Sequence, residues 1–144
     1  MPVRMRGIDL DTVDTAFVAV TSNVSISATT SATGTVVANT GSFSVDGGSY
    51  WVDVYTPSLV KGTTNVDLEL WLDGAPGTGT LLTTLSGHLA ASAIPFFSTV
   101  KVSLTGGNHT LRAAGFVDAG TGTFSANVGT TGNFPNAWLR VRPA

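Results

Sequence analysis

Val66-Asp67-Leu68-Glu69-Leu70-Trp71-Leu72, followed at once by Asp73-Gly74, decides the fold of this 144-residue chain. Side chains alternate across an extended strand, so Val66, Leu68, Leu70 and Leu72 fall on one face, with Asp67, Glu69 and Trp71 on the other. An apolar row of period two that ends in a turn-forming dipeptide reads as a half-buried strand entering a hairpin. The pattern recurs on both sides. In Ser98 to Leu104, Val100, Val102 and Leu104 oppose Lys101 and Ser103; earlier, Tyr50, Val52 and Val54 oppose Trp51, Asp53 and Tyr55.

Working outward, shorter runs extend the series: Ala16 to Val20, Val24 to Ala28, Thr35 to Ala38, Ser42 to Val45, Thr80 to Leu85, His109 to Ala114, Thr123 to Val128 and Ala137 to Val141. Between them lie Asp46-Gly47-Gly48, Asp73-Gly74, Gly106-Gly107-Asn108, Asp118-Ala119-Gly120 and Gly132-Asn133, residues that tolerate the positive φ of tight turns. So many short strands exceed what one open sheet holds in a chain of this length, which predicts two packed sheets, an all-β antiparallel β-sandwich. No run of good helix formers reaches the length of an ordinary helix. Gly87 to Pro95 has the length of a crossover loop, closed by Pro95. The first dozen residues are charged and unpatterned, either an arm reaching a neighbour or disordered, so the expected organisation is an N-terminal arm over residues 1–15 and one domain over residues 16–144.

Composition narrows the function. Charged residues make up 11% of the chain, against about a quarter in typical soluble domains, while 42% are hydrophobic and mean hydropathy is +0.28. A surface so poor in charge predicts self-association or coverage by partners. The net charge is −2 and the basic residues are dispersed, which argues against a nucleic-acid partner. The absence of cysteine excludes disulfides and thiolate zinc sites. Asp9, Asp11 and Asp14 interrupt any apolar segment after the basic start, so no secretory signal is read there, and no segment reaches the length of a membrane span.

Four stretches carry a resemblance: Gly48-Ser49-Tyr50-Trp51-Val52-Asp53-Val54, Leu68-Glu69-Leu70-Trp71-Leu72-Asp73-Gly74, Val102 to Leu111 and Ala137-Trp138-Leu139-Arg140-Val141-Arg142. In pattern and order, over roughly residues 35–144, they resemble the trimeric jelly-roll domains of the tumour-necrosis-factor and C1q kind, in the form found in bacteriophage virion proteins. That resemblance implies a jelly roll, a homotrimer, and a non-enzymatic structural role. The chain would decorate and stabilise a capsid or form part of a tail as a minor tail protein. Its partners would be its own copies and the major capsid or tail proteins, and it would be made in the host cytoplasm and carried in the virion. The alternative is a receptor- or carbohydrate-binding adhesin domain that meets a host-surface glycan.

Candidate site residues follow from the alternation. Trp51, Trp71 and Trp138 fall opposite the aliphatic rows, where subunit contact, sugar stacking or a second core layer under a loop would each account for them. With Tyr55, Arg140 and Arg142 they form the expected interface set. Arg140 and Arg142 share a face with Trp138, and Asp67 and Glu69 share one with Trp71, so ion pairs between these strands, within or between subunits, are expected.

Catalysis has weaker footing. Asp67 and Glu69 stand about 6–7 Å apart by strand rise, near a glycosidase spacing, but two acids on a strand are more often a solvated or salt-bridged face, and the same holds for Asp53. Asp9, Asp11 and Asp14 lack the spacing of a calcium loop. His88 and His109 have no further ligands to complete a zinc set. No Gly-x-Ser-x-Gly elbow or phosphate loop is present, and Asn23-Val24-Ser25 and Asn108-His109-Thr110 match the glycosylation pattern by coincidence. No catalytic residue, cofactor or metal is therefore expected.

Overall fold

The computed structural model describes residues 4–5, 8–9, 14–86, 93–126 and 136–144. Two short strands, β1 (Arg4–Met5) and β2 (Ile8–Asp9), pair with each other. The remaining strands are β3 (Ala16–Val20), β4 (Val24–Ile26), β5 (Thr35–Val45), β6 (Gly48–Val60), β7 (Val66–Leu72), β8 (Thr80–Ser86), β9 (Ala93–Leu104), β10 (Gly107–Val117), β11 (Gly122–Ser125) and β12 (Ala137–Pro143). All the strand pairings described are antiparallel. Apart from the β1–β2 pair, they build two sheets packed face to face, an antiparallel β-sandwich as the strand pattern predicts and of the jelly-roll type that the resemblance implies.

The back sheet runs β5-β10-β7-β8. In the front sheet β9 holds one edge of β6 from Gly48 to Val60. The other edge of β6 is shared end to end, by β12 along Tyr50–Tyr55 and by β11 along Ser58–Val60. Beyond these, β3 pairs with β12 and β4 with β11, so the front sheet is four strands across at either end.

The aliphatic rows meet between the sheets. Val52, Val54, Leu139, Val141, Leu68, Leu70, Leu111 and Phe124 have no exposed surface. Burying a side chain of this size contributes roughly 1.5–3 kcal/mol.

A seam crosses β6 where its partner on one edge changes. The register against β9 slips between Thr56↔Phe96 and Leu59↔Ile94, so Pro57 and Ser58 oppose the single residue Pro95. Proline has no N–H to donate, and two prolines facing each other make a bulge the natural outcome. Buried Thr56 secures the seam by donating its hydroxyl to the Ser125 carbonyl at 2.7 Å. Pro95 therefore does not close a loop: β9 begins at Ala93 and carries Pro95 in an edge strand, where a missing donor is tolerated. A second correction concerns Thr35–Ala38 and Ser42–Val45, which are one strand. The Thr40 hydroxyl accepts the Leu111 N–H at 3.0 Å, standing in for a main-chain carbonyl across an irregular stretch of the ladder.

The β5–β6 turn shows why glycine was needed there. Gly47 and Gly48 have φ of 96° and 118°, a region that L side chains rarely adopt. Asp73 is the non-glycine residue with positive φ among those described, at 54°, in the turn after β7. The predicted turn at Gly132-Asn133, the end of the Thr123–Val128 run, His88 and most of the arm lie outside the described residues.

Candidate functional site: the outer face of the front sheet

Strand register sets the outer face of the front sheet in rows. Trp138 lies opposite Ala19 on β3 and Tyr55 on β6, and Tyr55 lies opposite Phe97 on β9. Two residues along, Arg140 stands between Phe17 and Asp53, and Asp53 faces Thr99. In the third row Trp51 stands between Arg142 and Lys101. Odd-numbered positions of β3, β6 and β9 and even-numbered ones of β12 thus share one surface, because the pleat sends alternate side chains to opposite faces.

The first row and its neighbour Phe17 form an aromatic cluster around Trp138. Its ring centroid lies 5.6 Å from Tyr55, 6.0 Å from Phe97 and 6.3 Å from Phe17. Tyr55 and Phe17 are tilted by only 30° and 33° from the Trp138 plane, whereas Phe97 stands edge-on at 66°. Phe17 and Phe97 are more than half exposed, at 54% and 58%. Leaving rings of that size in water forgoes the burial that most Phe residues reach. Among the described residues no pocket encloses these rings, and the exposure of Phe17 and Phe97 makes the aromatic surface an open platform.

Beside it lies a polar cluster centred on Asp53, which has no exposed surface although it sits on an outer face. Its carboxylate accepts hydrogen bonds from Arg140 Nε and Nη2 at 3.0 and 2.8 Å, from Arg142 Nε at 2.9 Å and from the Thr99 hydroxyl at 2.7 Å. Burial pushes the Asp53 carboxyl up, but bonds from Arg142, Thr99 and Arg140 outweigh it and hold it below the ordinary carboxylate value. Asp14 stands 3.8 Å from Arg140 at the rim. The cations also lie over the indoles: Arg140 is 5.0 Å from the Trp138 centroid, and Lys101 and Arg142 are 5.8 and 5.9 Å from that of Trp51.

Of the six residues that the sequence singled out, Trp51, Tyr55, Trp138, Arg140 and Arg142 come together here. Trp71 does not. It lies on the back sheet, 6% exposed, where its indole N–H donates to Glu69 Oε2 at 3.2 Å. The Ser31 hydroxyl donates to the same oxygen at 2.7 Å from a short 3-10 turn, Ser31–Thr33, and buries it.

The expected ion pairs of Arg140 and Arg142 with Asp67 and Glu69 are corrected within the chain. β12 and β7 belong to different sheets, and the arginines meet Asp53 on the strand beside them. Glu69 is not solvated but 5% exposed and held by Ser31 and Trp71, which among the described residues leaves it no open approach as half of a catalytic pair with Asp67. Phe17 and Phe97 escaped the sequence reading. Their signal is present in β3, where Phe17 and Ala19 alternate with Ala16, Val18 and Val20, and is hidden in β9 by Pro95, which usually marks the end of a strand.

His109 is a structural residue on the back sheet, beside the turn that joins β9 to β10. Its ring nitrogens face Asp73 Oδ2 at 2.8 Å and the Thr105 carbonyl at 2.9 Å, tying together the turns after β7 and β9. Among the described residues no group of His, Asp and Glu side chains is placed to hold a metal ion.

Comparison with known proteins adds the fold and little more. No protein-family model matches the chain, and no curated protein matches it. A carbohydrate-binding module of Cellvibrio mixtus lichenase 5A, solved in complex with cellotriose, superposes over 92% of this chain and 99% of its own, with a TM-score of 0.50 and 10% identity. The C-terminal domain of EclA, a sugar-binding protein, matches over 86% and 79% with a TM-score of 0.43 and 12% identity. A module named CBM35 from Cellvibrio japonicus Abf62 matches over 89% and 65% with a TM-score of 0.34 and 18% identity. The first of these likenesses establishes the jelly-roll β-sandwich. None of the three is a phage or TNF/C1q-type domain, and that narrower resemblance has no support among them.

Proposed function

We propose that this chain is a non-enzymatic carbohydrate-binding domain that holds a glycan across the outer face of its front sheet. The observation that carries this reading is the open aromatic row of Phe17, Trp138, Tyr55 and Phe97 beside the Asp53–Arg140–Arg142 cluster. Pyranose rings present flat C–H faces that pack on aromatic rings, and their hydroxyls need fixed donors and acceptors at the edge of that contact. The platform offers both on rigid strands rather than on loops. An extended, open surface suits a run of sugars on a polymer rather than one enclosed residue. The jelly roll is also the architecture with which the Cellvibrio mixtus module carries cellotriose, although at 10% identity the parallel is one of fold.

The test is binding of the intact chain to a panel of soluble and insoluble polysaccharides, with Trp138→Ala beside it. Retention of the native protein and loss of retention by a still-folded variant is the expected result. Failure to bind any member of a broad panel would remove the reading.

The exposure of Phe17 and Phe97 favours a second reading, in which copies of this chain bury the same rings against one another. That reading keeps the homotrimeric virion subunit, decorating a capsid or forming part of a tail. Light scattering separates the two: a stable trimer in which Phe97→Asp gives monomers would favour subunit contact over glycan binding.

A further inference from the structure

The front-sheet face holds three of the chain's seven basic residues, Lys101, Arg140 and Arg142, on a protein whose net charge is −2. Among the described residues two carboxylates face them: Asp53, wholly buried beneath the arginines, and Asp14 at the rim, 3.8 Å from Arg140. Asp53 engages Nε and Nη2 of each guanidinium. A guanidinium carries five N–H donors in a planar fork, so the Nη1 group of each arginine is left over. Both arginine side chains are 34% exposed. The buried anion holds the two forks rigidly, and the remaining donors and the Lys101 ammonium flank Trp51 and Trp138. A neutral sugar hydroxyl takes only an ordinary hydrogen bond from these cations, whereas an anionic oxygen on a sugar ring accepts stronger, charge-assisted bonds from them.

We infer that the ligand of this face is an acidic glycan, a saccharide whose carboxylate or sulfate groups lie over Arg140, Arg142 and Lys101 while its ring faces pack on the aromatic row. The inference rests on the glycan-binding reading of the same face and adds the substrate class. Asp53 is a positioning residue here: it orients the two guanidiniums from below and does not itself meet the ligand. The three cations discriminate by attraction, and the aromatic row alone would bind neutral and acidic chains alike.

The experiment measures binding of the intact chain by calorimetry to three probes: an α-1,4-linked galacturonate trisaccharide, the neutral galactose trisaccharide of the same linkage, and a sulfated chondroitin tetrasaccharide. The expected result is that one or both acidic probes bind about ten-fold more tightly than the neutral one, as charge-assisted bonds exceed neutral ones, and lose that advantage as salt screens the charges. The two acidic arms show whether carboxylate or sulfate is preferred, and either supports the proposal. Lys101→Glu leaves the Asp53 cluster untouched and should abolish the preference for acid while leaving binding of the neutral probe; Arg140→Gln leaves Asp53 its bonds to Arg142 and Thr99 and should weaken both kinds of probe, the acidic ones more, so that the preference again disappears. Equal affinity for neutral and acidic probes overturns the inference and leaves the platform reading standing. Binding of none of the three, together with failure on the polysaccharide panel, overturns both. A preference for acid that survives both variants places the anion elsewhere and also overturns the inference.

Discussion

Asp53 and Arg142 form an ion pair at 2.9 Å in which the carboxylate is wholly buried and the guanidinium a third exposed. Such a pair on the outside of a sheet means that the arginines and indoles form a lid over the acid. Replacing Asp53 by Asn keeps the volume and removes the charge, leaving two guanidiniums side by side with no anion between them. Breaking a buried pair from one side costs about 3 kcal/mol, and the expected outcome for Asp53→Asn is a loss of about that size, read from the midpoint of urea unfolding. The pH dependence has a fixed sign. The folded Asp53 pKa lies below the ordinary 3.8, so the stabilisation is present above that value and fades as pH falls through the folded one. Acid unfolding of the variant should therefore be shallower than that of the native chain.

His109 gives the opposite slope. The Asp73 hydrogen bond, then that to the Thr105 carbonyl, raise its pKa above the ordinary 6.5 despite burial. With an acceptor at each ring nitrogen, the imidazolium satisfies both and the neutral ring only one. Its stabilisation is thus fully present below the unfolded pKa and is lost as pH rises through the folded one. The stability gap between the native chain and His109→Gln should be larger at about pH 5.5 than at about pH 8.5, measured by thermal unfolding across that range. A gap that does not change with pH would remove the charged form from the account.

Asp118 acts as a clip between the loop before β7 and the turn after β10. It accepts the Thr64 N–H at 3.0 Å, the Thr64 hydroxyl at 2.6 Å and the Asn65 N–H at 3.0 Å, while its own N–H donates to Asn65 Oδ1 at 2.9 Å. The Thr64 hydroxyl, followed by the Thr64 and Asn65 amides, holds the carboxyl far below its ordinary range. Asp118→Ala should speed amide hydrogen exchange at Thr64 and Asn65 with little change in the core strands, because an exposed clip governs local opening rather than the global transition.

How much of this was legible in the sequence depended on how far apart the deciding residues lie. The alternation in Val66–Leu72 and Ala137–Val141 is local, and both runs became strands with their apolar rows inside. Trp51 and Trp71 alternate in the same way, yet one stays partly open and the other is covered. Trp71 donates to Glu69, which also accepts the hydroxyl of Ser31 from 38 residues away, a partnership that local alternation does not reveal. The arginines likewise announced a need for an acid, but several acids were available. Only the pairing of β12 with β6 selects Asp53, 87 residues away from Arg140. Phe97 was lost for a different reason: Pro95 usually ends a strand, and its tolerance here depends on an edge position and a bulge that period-two patterning does not reveal.

Gly115 and Phe124 test the packing of the core from opposite sides. A Cβ placed on Gly115 would stand 2.8 Å from Ile26 Cδ1 and 3.1 Å from Leu68 Cδ2, closer than carbon atoms pack, while its φ is outside the left-handed region. The glycine is required by the approach of its neighbours and not by its backbone. Gly115→Val must therefore push Ile26 and Leu68 aside, an overpacking that costs about 1–3 kcal/mol. Phe124 is fully buried on β11, and Phe124→Ala leaves a cavity at a cost of about 3–5 kcal/mol. Urea unfolding of both variants should show lowered midpoints with an unchanged slope, since neither alters the surface exposed on unfolding. If Gly115→Val proved neutral, the sheets would have to be more loosely packed at this point than these distances allow, and a second substitution, Ile26→Val, would then fail to rescue anything; the packing account requires instead that Ile26→Val partly restores the stability of Gly115→Val.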